Sequence, residues 1–116
     1  MKKYPMTARA WIVTMKNPEN YGYSGCPRVL CEQLRAQWLA GRSERSGVWM
    51  FCVSDDGVPH VHMVLTDTVP FRDRHIFDYI PADSAVPLAT SHDIASDVEH
   101  FVRHILDRET VLVMVH

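Results

Sequence analysis

Two histidines follow a tight turn in the segment DDGVPHVHMVL, residues 55–65. The dipeptide Asp56-Gly57 is typical of a β-hairpin turn, and the residues that follow it favour a strand. Before the turn, residues 47–53 (GVWMFCV) form an almost unbroken apolar run, which predicts a strand covered on both faces. The segment therefore predicts a hairpin in the middle of a sheet, with its second strand running to Thr66.

The two histidines lie one residue apart at the start of the second strand. Side chains alternate between the two faces of a strand, so His60 and His62 project from one face and Val61 from the other. Two neighbouring imidazoles provide half of a metal site with four ligands. Histidine is also an ordinary half-buried residue, so the spacing alone leaves both interpretations open.

Composition is that of one globular domain, predicted to comprise residues 1–116. Of the 116 residues, 47% are hydrophobic and 22% charged, and this length is sufficient for a single core. No apolar run approaches the roughly 20 residues that span a bilayer. The N-terminus is basic, but no long apolar stretch follows it, so the sequence does not predict a signal peptide. A cytoplasmic protein with no membrane partner is expected. An odd number of cysteines without a Cys-x-x-Cys spacing favours reduced thiols in a core over disulfides or a Cys-rich zinc site.

Charge is distributed unevenly along the chain. Residues 1–50 contain eight Lys and Arg against three acids, a net of +5, and residues 51–116 contain four against eleven, a net of −7. The overall charge of −2 provides no general attraction to nucleic acid. A nucleic-acid contact is therefore predicted to use basic residues of the first half, and the candidates are Arg9, Lys16, Arg42 and Arg45. The alternative is that these are solvated surface charges.

The remaining elements follow from periodicity and turn signals. Strands are predicted at residues 8–15, 84–89 (an edge strand) and 110–115, a helix from Pro27 to Gly41, and a short helix or turn at residues 70–79 with Phe71 and Phe77 as anchors. A late amphipathic helix, capped by Thr90 or Ser91, has the apolar stripe Ile94, Val98, Phe101, Val102 and Ile105. This order predicts an α+β fold, an antiparallel sheet with helices mainly on one face, of the ferredoxin-like kind.

Several of these segments together resemble a known family. Residues 9–18 (RAWIVTMKNP), Tyr21-Gly22-Tyr23, the pattern Gly57-x-x-His60-x-His62 and the late amphipathic helix resemble the rolling-circle replication initiators (Rep proteins) of phages and plasmids, which belong to the HUH endonuclease class. The resemblance covers roughly residues 8–107. It implies an HUH-endonuclease-like fold in which His60 and His62 bind Mg²⁺ or Mn²⁺, with Asp55 or Asp56 as the nearest third ligand.

The same resemblance implies a tyrosine nucleophile on the late helix, and this chain departs from it there. In the family the metal polarises the scissile phosphate and the tyrosine attacks it, which makes the attack intramolecular. The corresponding position holds Phe101, which has no oxygen to attack phosphorus. The four tyrosines lie elsewhere in the sequence, so nicking activity is expected to be lost.

The late helix also carries other candidate metal ligands. His104 and Asp97 flank the apolar stripe on the side of Phe101, so either can complete a metal site. His92, Ser96, His100 and His104 recur every four residues, a spacing that can bind a borderline metal on a helix surface. The alternative for this row is a solvated helix face.

Three functions are compatible with these observations. The first is a Rep-like domain of a phage or plasmid that binds divalent metal and single-stranded or hairpin DNA without nicking it. The second is a mobile-element protein that reuses the fold to bind and inhibit a host protein, such as a CRISPR-type defence nuclease, through its acidic second half. The third is a competent nuclease that uses another tyrosine or a metal-activated water. A homodimer formed through the last strand is a further expectation.

Overall fold

A five-stranded antiparallel sheet forms the centre of the computed structural model, which describes residues 7–40, 44–88, 94–106 and 110–116. The strands are β1 (Thr7–Lys16), β2 (Ser46–Val53), β3 (Pro59–Arg72), β4 (Ser84–Pro87) and β5 (Thr110–Val115). The helices are α1 (Pro27–Leu39), α2 (Asp73–Tyr79) and α3 (Ile94–Leu106), and a 3-10 helix covers Pro18–Tyr21. Every strand and helix predicted from the sequence is therefore present.

The strands lie in the order β4-β1-β3-β2-β5, and these neighbours pair antiparallel. The elements from β1 to β4 follow the order strand, helix, strand, strand, helix, strand, and β4-β1-β3-β2 is the strand order of a ferredoxin-like fold. β5 extends this sheet beyond β2, so β4 and β5 are its two edges. The predicted α+β, ferredoxin-like fold is confirmed. None of the helices in the described ranges has the length and apolar character needed to cross a membrane.

The hairpin between β2 and β3 turns through residues 54–58. The Gly57 N–H donates to the Ser54 carbonyl at 2.8 Å, and the Ser54 N–H donates to the Val58 carbonyl at 3.1 Å. Gly57 has a φ of 83°, a left-handed conformation that glycine adopts without steric cost. The turn pairs Val53 with Pro59 and thereby sets the register of the whole hairpin.

α1 and α2 pack on one face of the sheet and enclose the main core. Leu30, Leu34 and Trp38 recur every four residues along α1 and are fully buried. They belong to the same core cluster as Val61 and Met63 of β3. Since side chains alternate along a strand, His62, which lies between these two residues of β3, faces the other side of the sheet.

α3 packs on that other side. Ile105 is buried with a smaller apolar cluster formed by Met50, Cys52 and Val64, and three other residues of the predicted stripe are half-buried against it, namely Val98, Phe101 and Val102. Two of the three helices therefore lie on one face and α3 lies on the opposite face. The expected placement of the helices mainly on one face agrees with this arrangement.

β3 is longer than the hairpin pattern indicated, because the sequence predicts its end at Thr66. Beyond that residue the strand pairs with β1 again after a break in register, with Ala10 opposite Thr66 and Ala8 opposite Phe71. Pro70 lies within the interrupted segment. A proline has no N–H to donate, and it is tolerated where the ladder is already broken.

The prediction that Phe77 anchors the short helix in the core is wrong. Its side chain is 46% exposed, while Ile76 and Ile80 are fully buried. The reason is the phase of α2, because a helix that begins at Asp73 turns Ile76 and not its neighbour toward the sheet. The side chain of Phe71 and the predicted caps at residues 90 and 91 lie outside the described part of the chain.

The cysteines occupy two kinds of environment. Cys31 and Cys52 are buried free thiols, as the sequence predicts, but Cys26 is exposed. Cys26 immediately precedes α1, where its side chain makes no capping hydrogen bond. The expectation that all three thiols lie in a core is therefore corrected for Cys26.

Candidate metal centre

His60 and His62 lie side by side on the face of the sheet to which α3 packs. Their ring centroids are 4.9 Å apart and the rings are nearly perpendicular, at 83°. β3 is the middle strand, with β1 on one side and β2 on the other. The common face predicted for the pair is confirmed, and both histidines have strand neighbours that can supply further ligands.

A cysteine on β2 completes a group of three metal-binding side chains. Cys52 is the direct antiparallel partner of His60, so its side chain points to the same face. The sulfur and one ring nitrogen of each histidine all lie within 4.8 Å of one another. Cys52 is only 2% exposed, whereas both imidazoles are half-buried. The sulfur therefore lies at the bottom of the group and the imidazoles lie nearer the solvent.

Hydrogen bonds orient both imidazoles. Nδ1 of His60 donates to the Val58 carbonyl at 3.2 Å, and because a carbonyl only accepts, Nδ1 carries the proton. Nδ1 of His62 lies 3.2 Å from Oγ1 of Thr14, its cross-strand partner on β1. With Nδ1 held in these bonds, Nε2 is the nitrogen that each ring would offer to a metal.

The two histidines line a cavity of about 400 Å³. Its other walls come from the end of β1 and from the hairpin turn, and they comprise Thr14, Lys16, Ser54, Asp56 and Val58. Lys16 is the β1 partner of His60 and is exposed, so the cavity has an ammonium group at its rim. The arrangement can therefore hold a cation on the imidazoles and an anion beside it.

The carboxylates predicted as third ligand, Asp55 and Asp56, occupy different positions. Asp56 lines the cavity, where the hydrogen bond from Ser54 Oγ and then that from the backbone of Val58 hold the pKa of its carboxyl below the ordinary value. Asp55 is exposed and is not among the residues that line this cavity. Within the described chain, the group with mutually close ligand atoms contains a thiol and neither carboxylate. The turn explains this, because it directs the Asp56 carboxylate back onto Ser54.

The four basic residues predicted to contact DNA have different environments. Lys16 lines the cavity, Arg9 is exposed on β1, and Arg42 lies outside the described residues. Arg45 is 4% exposed, and its Nε lies 3.0 Å from Oδ2 of the buried Asp67. This burial contradicts the predicted role of Arg45 in DNA binding, because its guanidinium is paired with a carboxylate inside the protein and is not accessible to DNA.

The residue at the predicted tyrosine position lies on the same face as the metal-binding group. Phe101 is half-buried against the apolar cluster of β2 and β3. His100 and His104 are exposed on α3, and neither belongs to the group of close metal-binding side chains among the described residues. His92 and the side chain of Asp97 lie outside the described part. The row of histidines on the helix therefore stays a prediction.

Cys52 is the candidate ligand that the sequence interpretation missed. The signal that indicates it is the register of the hairpin, because a turn that pairs Val53 with Pro59 also pairs Cys52 with His60. No protein-family model matches the chain, and no curated protein or solved structure matches it. The resemblance to Rep proteins therefore rests on the sequence segments quoted above and stays a prediction.

Proposed function

We propose that this chain is a Rep-like domain of a phage or plasmid that binds a divalent metal and single-stranded or hairpin DNA in the cytoplasm, without nicking the DNA. The observation that carries the proposal is the convergence of Cys52, His60 and His62 beside an open cavity. The Rep resemblance implies two histidines and a third ligand, and the third donor here comes from the neighbouring strand. The Mg²⁺ or Mn²⁺ implied by the resemblance stays a prediction.

The charges around the cavity support a phosphate as the second ligand. A cation on His60 and His62 would attract a phosphate oxygen, and Lys16 at the rim would neutralise a further part of its charge. Arg9 is also exposed, at the other end of β1. The acidic second half of the chain limits general DNA affinity, which favours contact at one site.

The positions of the tyrosines support the loss of nicking. Tyr21 and Tyr23 pack against the main core, on the side of the sheet away from α3. Tyr79 packs edge-on against Trp38 of the same core, with the ring centroids 6.0 Å apart. In the described residues, then, no tyrosine packs with Phe101 on the face that holds the candidate metal ligands. Among the described tyrosines, none is placed to act as the nucleophile of a covalent phosphotyrosine step on this face.

The proposal is tested by fluorescence anisotropy with a labelled single-stranded oligonucleotide and a labelled hairpin. We expect saturable binding in Zn²⁺ or Mn²⁺ that EDTA removes and that the double variant His60→Ala/His62→Ala loses. His100→Ala/His104→Ala, which removes two exposed histidines from α3, is the matched control and should bind as the wild type does. Equal DNA binding with EDTA present, or by the double variant, would contradict the proposal. Incubation with Mn²⁺ in the same samples should leave the DNA uncut, and cleaved DNA would favour metal-activated water.

A specific observation supports the second candidate, binding to a host protein. Edge strand β5 exposes three valines, with Val111 62%, Val113 39% and Val115 67% exposed. An uncharged edge strand of this kind can add a strand of another protein. If this candidate is right, the chain should inhibit a purified CRISPR-type defence nuclease at stoichiometric concentration, and Val113→Lys should abolish inhibition without weakening DNA binding. Failure of the wild type to inhibit would remove the candidate.

A further inference from the structure

We infer that the metal on this face is a thiophilic cation, Zn²⁺ above all, bound by Cys52, His60 and His62 with a fourth position open to the cavity. This inference deepens the proposed metal and DNA binding and rests on the same site. It differs from the Mg²⁺ or Mn²⁺ that the resemblance implies, and it assigns a ligand that the sequence pattern did not indicate.

The donor atoms decide the class of metal. Mg²⁺ and Mn²⁺ prefer oxygen ligands, and Mg²⁺ needs an octahedral set that usually includes several waters. A thiolate and two imidazoles are the ligands that Zn²⁺ binds in proteins. Within the described residues, the closely spaced group contains one sulfur and two nitrogen donors and no carboxylate oxygen. The set therefore favours Zn²⁺ over the harder cations.

The spacing of the donors is compatible with such a site. Tetrahedral Zn²⁺ with ordinary bond lengths places sulfur and nitrogen ligands ~3.3 to 3.6 Å apart. The three donor atoms lie within 4.8 Å of one another, so side-chain rotation would have to bring them closer around a bound ion. The backbone already places the three side chains on one face, because Cys52 is paired with His60 across the hairpin and His62 follows on the same face. Hydrogen bonds at Nδ1 orient both rings, and with Nδ1 as the donor in each bond, Nε2 is the nitrogen that would coordinate the ion.

The fourth position faces the cavity. Cys52 is almost completely buried beneath the half-buried imidazoles, so the free side of a bound ion points toward the space lined by Lys16 and Asp56. Three protein ligands and an open position are typical of zinc sites that bind water or substrate. With Lys16 at the rim, an oxygen of a phosphate group is the ligand that this position would take. Asp56 is the alternative ligand, and its coordination would close the site.

The inference is tested by replacing Zn²⁺ with Co²⁺, whose absorption spectrum reports its ligands. We expect a thiolate-to-cobalt charge-transfer band that saturates at one equivalent and disappears when Zn²⁺ is added. Cys52→Ser should abolish the band and weaken Zn²⁺ binding at least about tenfold, by analogy with the losses that even indirect ligand changes cause. Cys26→Ser, which removes an exposed thiol, is the matched control and should leave both unchanged. Absence of the band in the wild type, or its survival in Cys52→Ser, would overturn the inference.

The open position has its own readout. Inorganic phosphate should shift the visible bands of the Co²⁺ protein, and Asp56→Asn should leave the spectrum without phosphate unchanged. If phosphate does not change the spectrum but Asp56→Asn does, Asp56 is the fourth ligand and the open position is contradicted. If Cys52→Ser does not fold, the presence or absence of the thiolate band in the wild-type protein still decides the inference, because that spectrum requires no variant.

Anisotropy of labelled DNA in the same samples separates this inference from the proposed function. Zinc and thiolate coordination without DNA binding would leave the metal site standing and remove the proposed function. Metal-dependent DNA binding that requires His60 and His62, with no thiolate band, would support the proposed function and overturn the inference of thiolate coordination.

Discussion

Removal of one partner of the buried ion pair between Arg45 and Asp67 is expected to destabilise the fold severely. The two side chains are 4% and 2% exposed, and Nε and Oδ2 are 3.0 Å apart. Arg45 Nη1 also donates to the Trp38 carbonyl at 3.1 Å, and Cζ lies 4.2 Å from the ring centroids of both Trp38 and Tyr79. Asp67→Ala leaves this guanidinium buried and without its carboxylate.

The expected magnitude follows from the burial of both groups. Removing one member of a buried ion pair costs about 3–5 kcal/mol, because the remaining charge has lost its compensation. A chain of this size has a total stability of about 5–15 kcal/mol, so the variant would lose a large fraction of it. The double variant Arg45→Met/Asp67→Leu removes both charges and is expected to be more stable than Asp67→Ala, since neither group is left uncompensated.

Urea unfolding followed by tryptophan fluorescence measures these changes, because Trp11, Trp38 and Trp49 are all fully buried. Arg103→Ala is the matched control. Arg103 also forms an ion pair, with Glu99 at 2.8 Å, but the two side chains are 76% and 64% exposed. This variant should lose no more than about 0.5 kcal/mol. A loss below about 1 kcal/mol in Asp67→Ala would show that the pair is solvated and that our account of Arg45 is wrong.

Three further predictions concern the turn, the thiols and α3. Gly57→Ala should cost about 1 kcal/mol in urea unfolding, because the φ of 83° is strained for any residue with a Cβ; an unchanged midpoint would contradict the turn geometry. Burial raises the pKa of the Cys31 thiol to about 11, so it stays protonated at pH 8. Mass spectrometry after iodoacetamide treatment should therefore find the exposed Cys26 modified and Cys31 intact, and rapid labelling of both would contradict this. Ile105→Ala should cost about 2–4 kcal/mol and its neighbour Leu106→Ala less than about 1, because Ile105 is 5% exposed and Leu106 44%; equal losses would mean that α3 packs differently.

Features of the fold that depend on residues close together in the sequence were predictable. The Asp56-Gly57 turn and the alternation from His60 to Leu65 depend on a few residues, and the structure has both. The late helix and the last strand were also indicated by their periodicity. The end of β3 was not predictable, because the strand resumes after a register break whose position is set by pairing with β1.

The candidate site was half predictable for the same reason. His60 and His62 belong to one strand, and a period of two places them on one face. Cys52 joins them only through cross-strand register, and its place in an apolar run indicated a core residue. Arg45 was predicted to lie at the surface because arginines are mostly exposed in proteins. Its buried partner Asp67 is distant in sequence, so the sequence did not indicate the ion pair.

X-ray absorption spectroscopy of the Zn²⁺-loaded protein tests most directly whether Cys52, His60 and His62 bind one metal ion together. We predict a first shell with one sulfur at about 2.3 Å and two imidazole nitrogens at about 2.0–2.1 Å, completed by one lighter ligand. A shell of oxygen and nitrogen alone, without sulfur, would contradict the site that we derive from the pairing of β2 with β3.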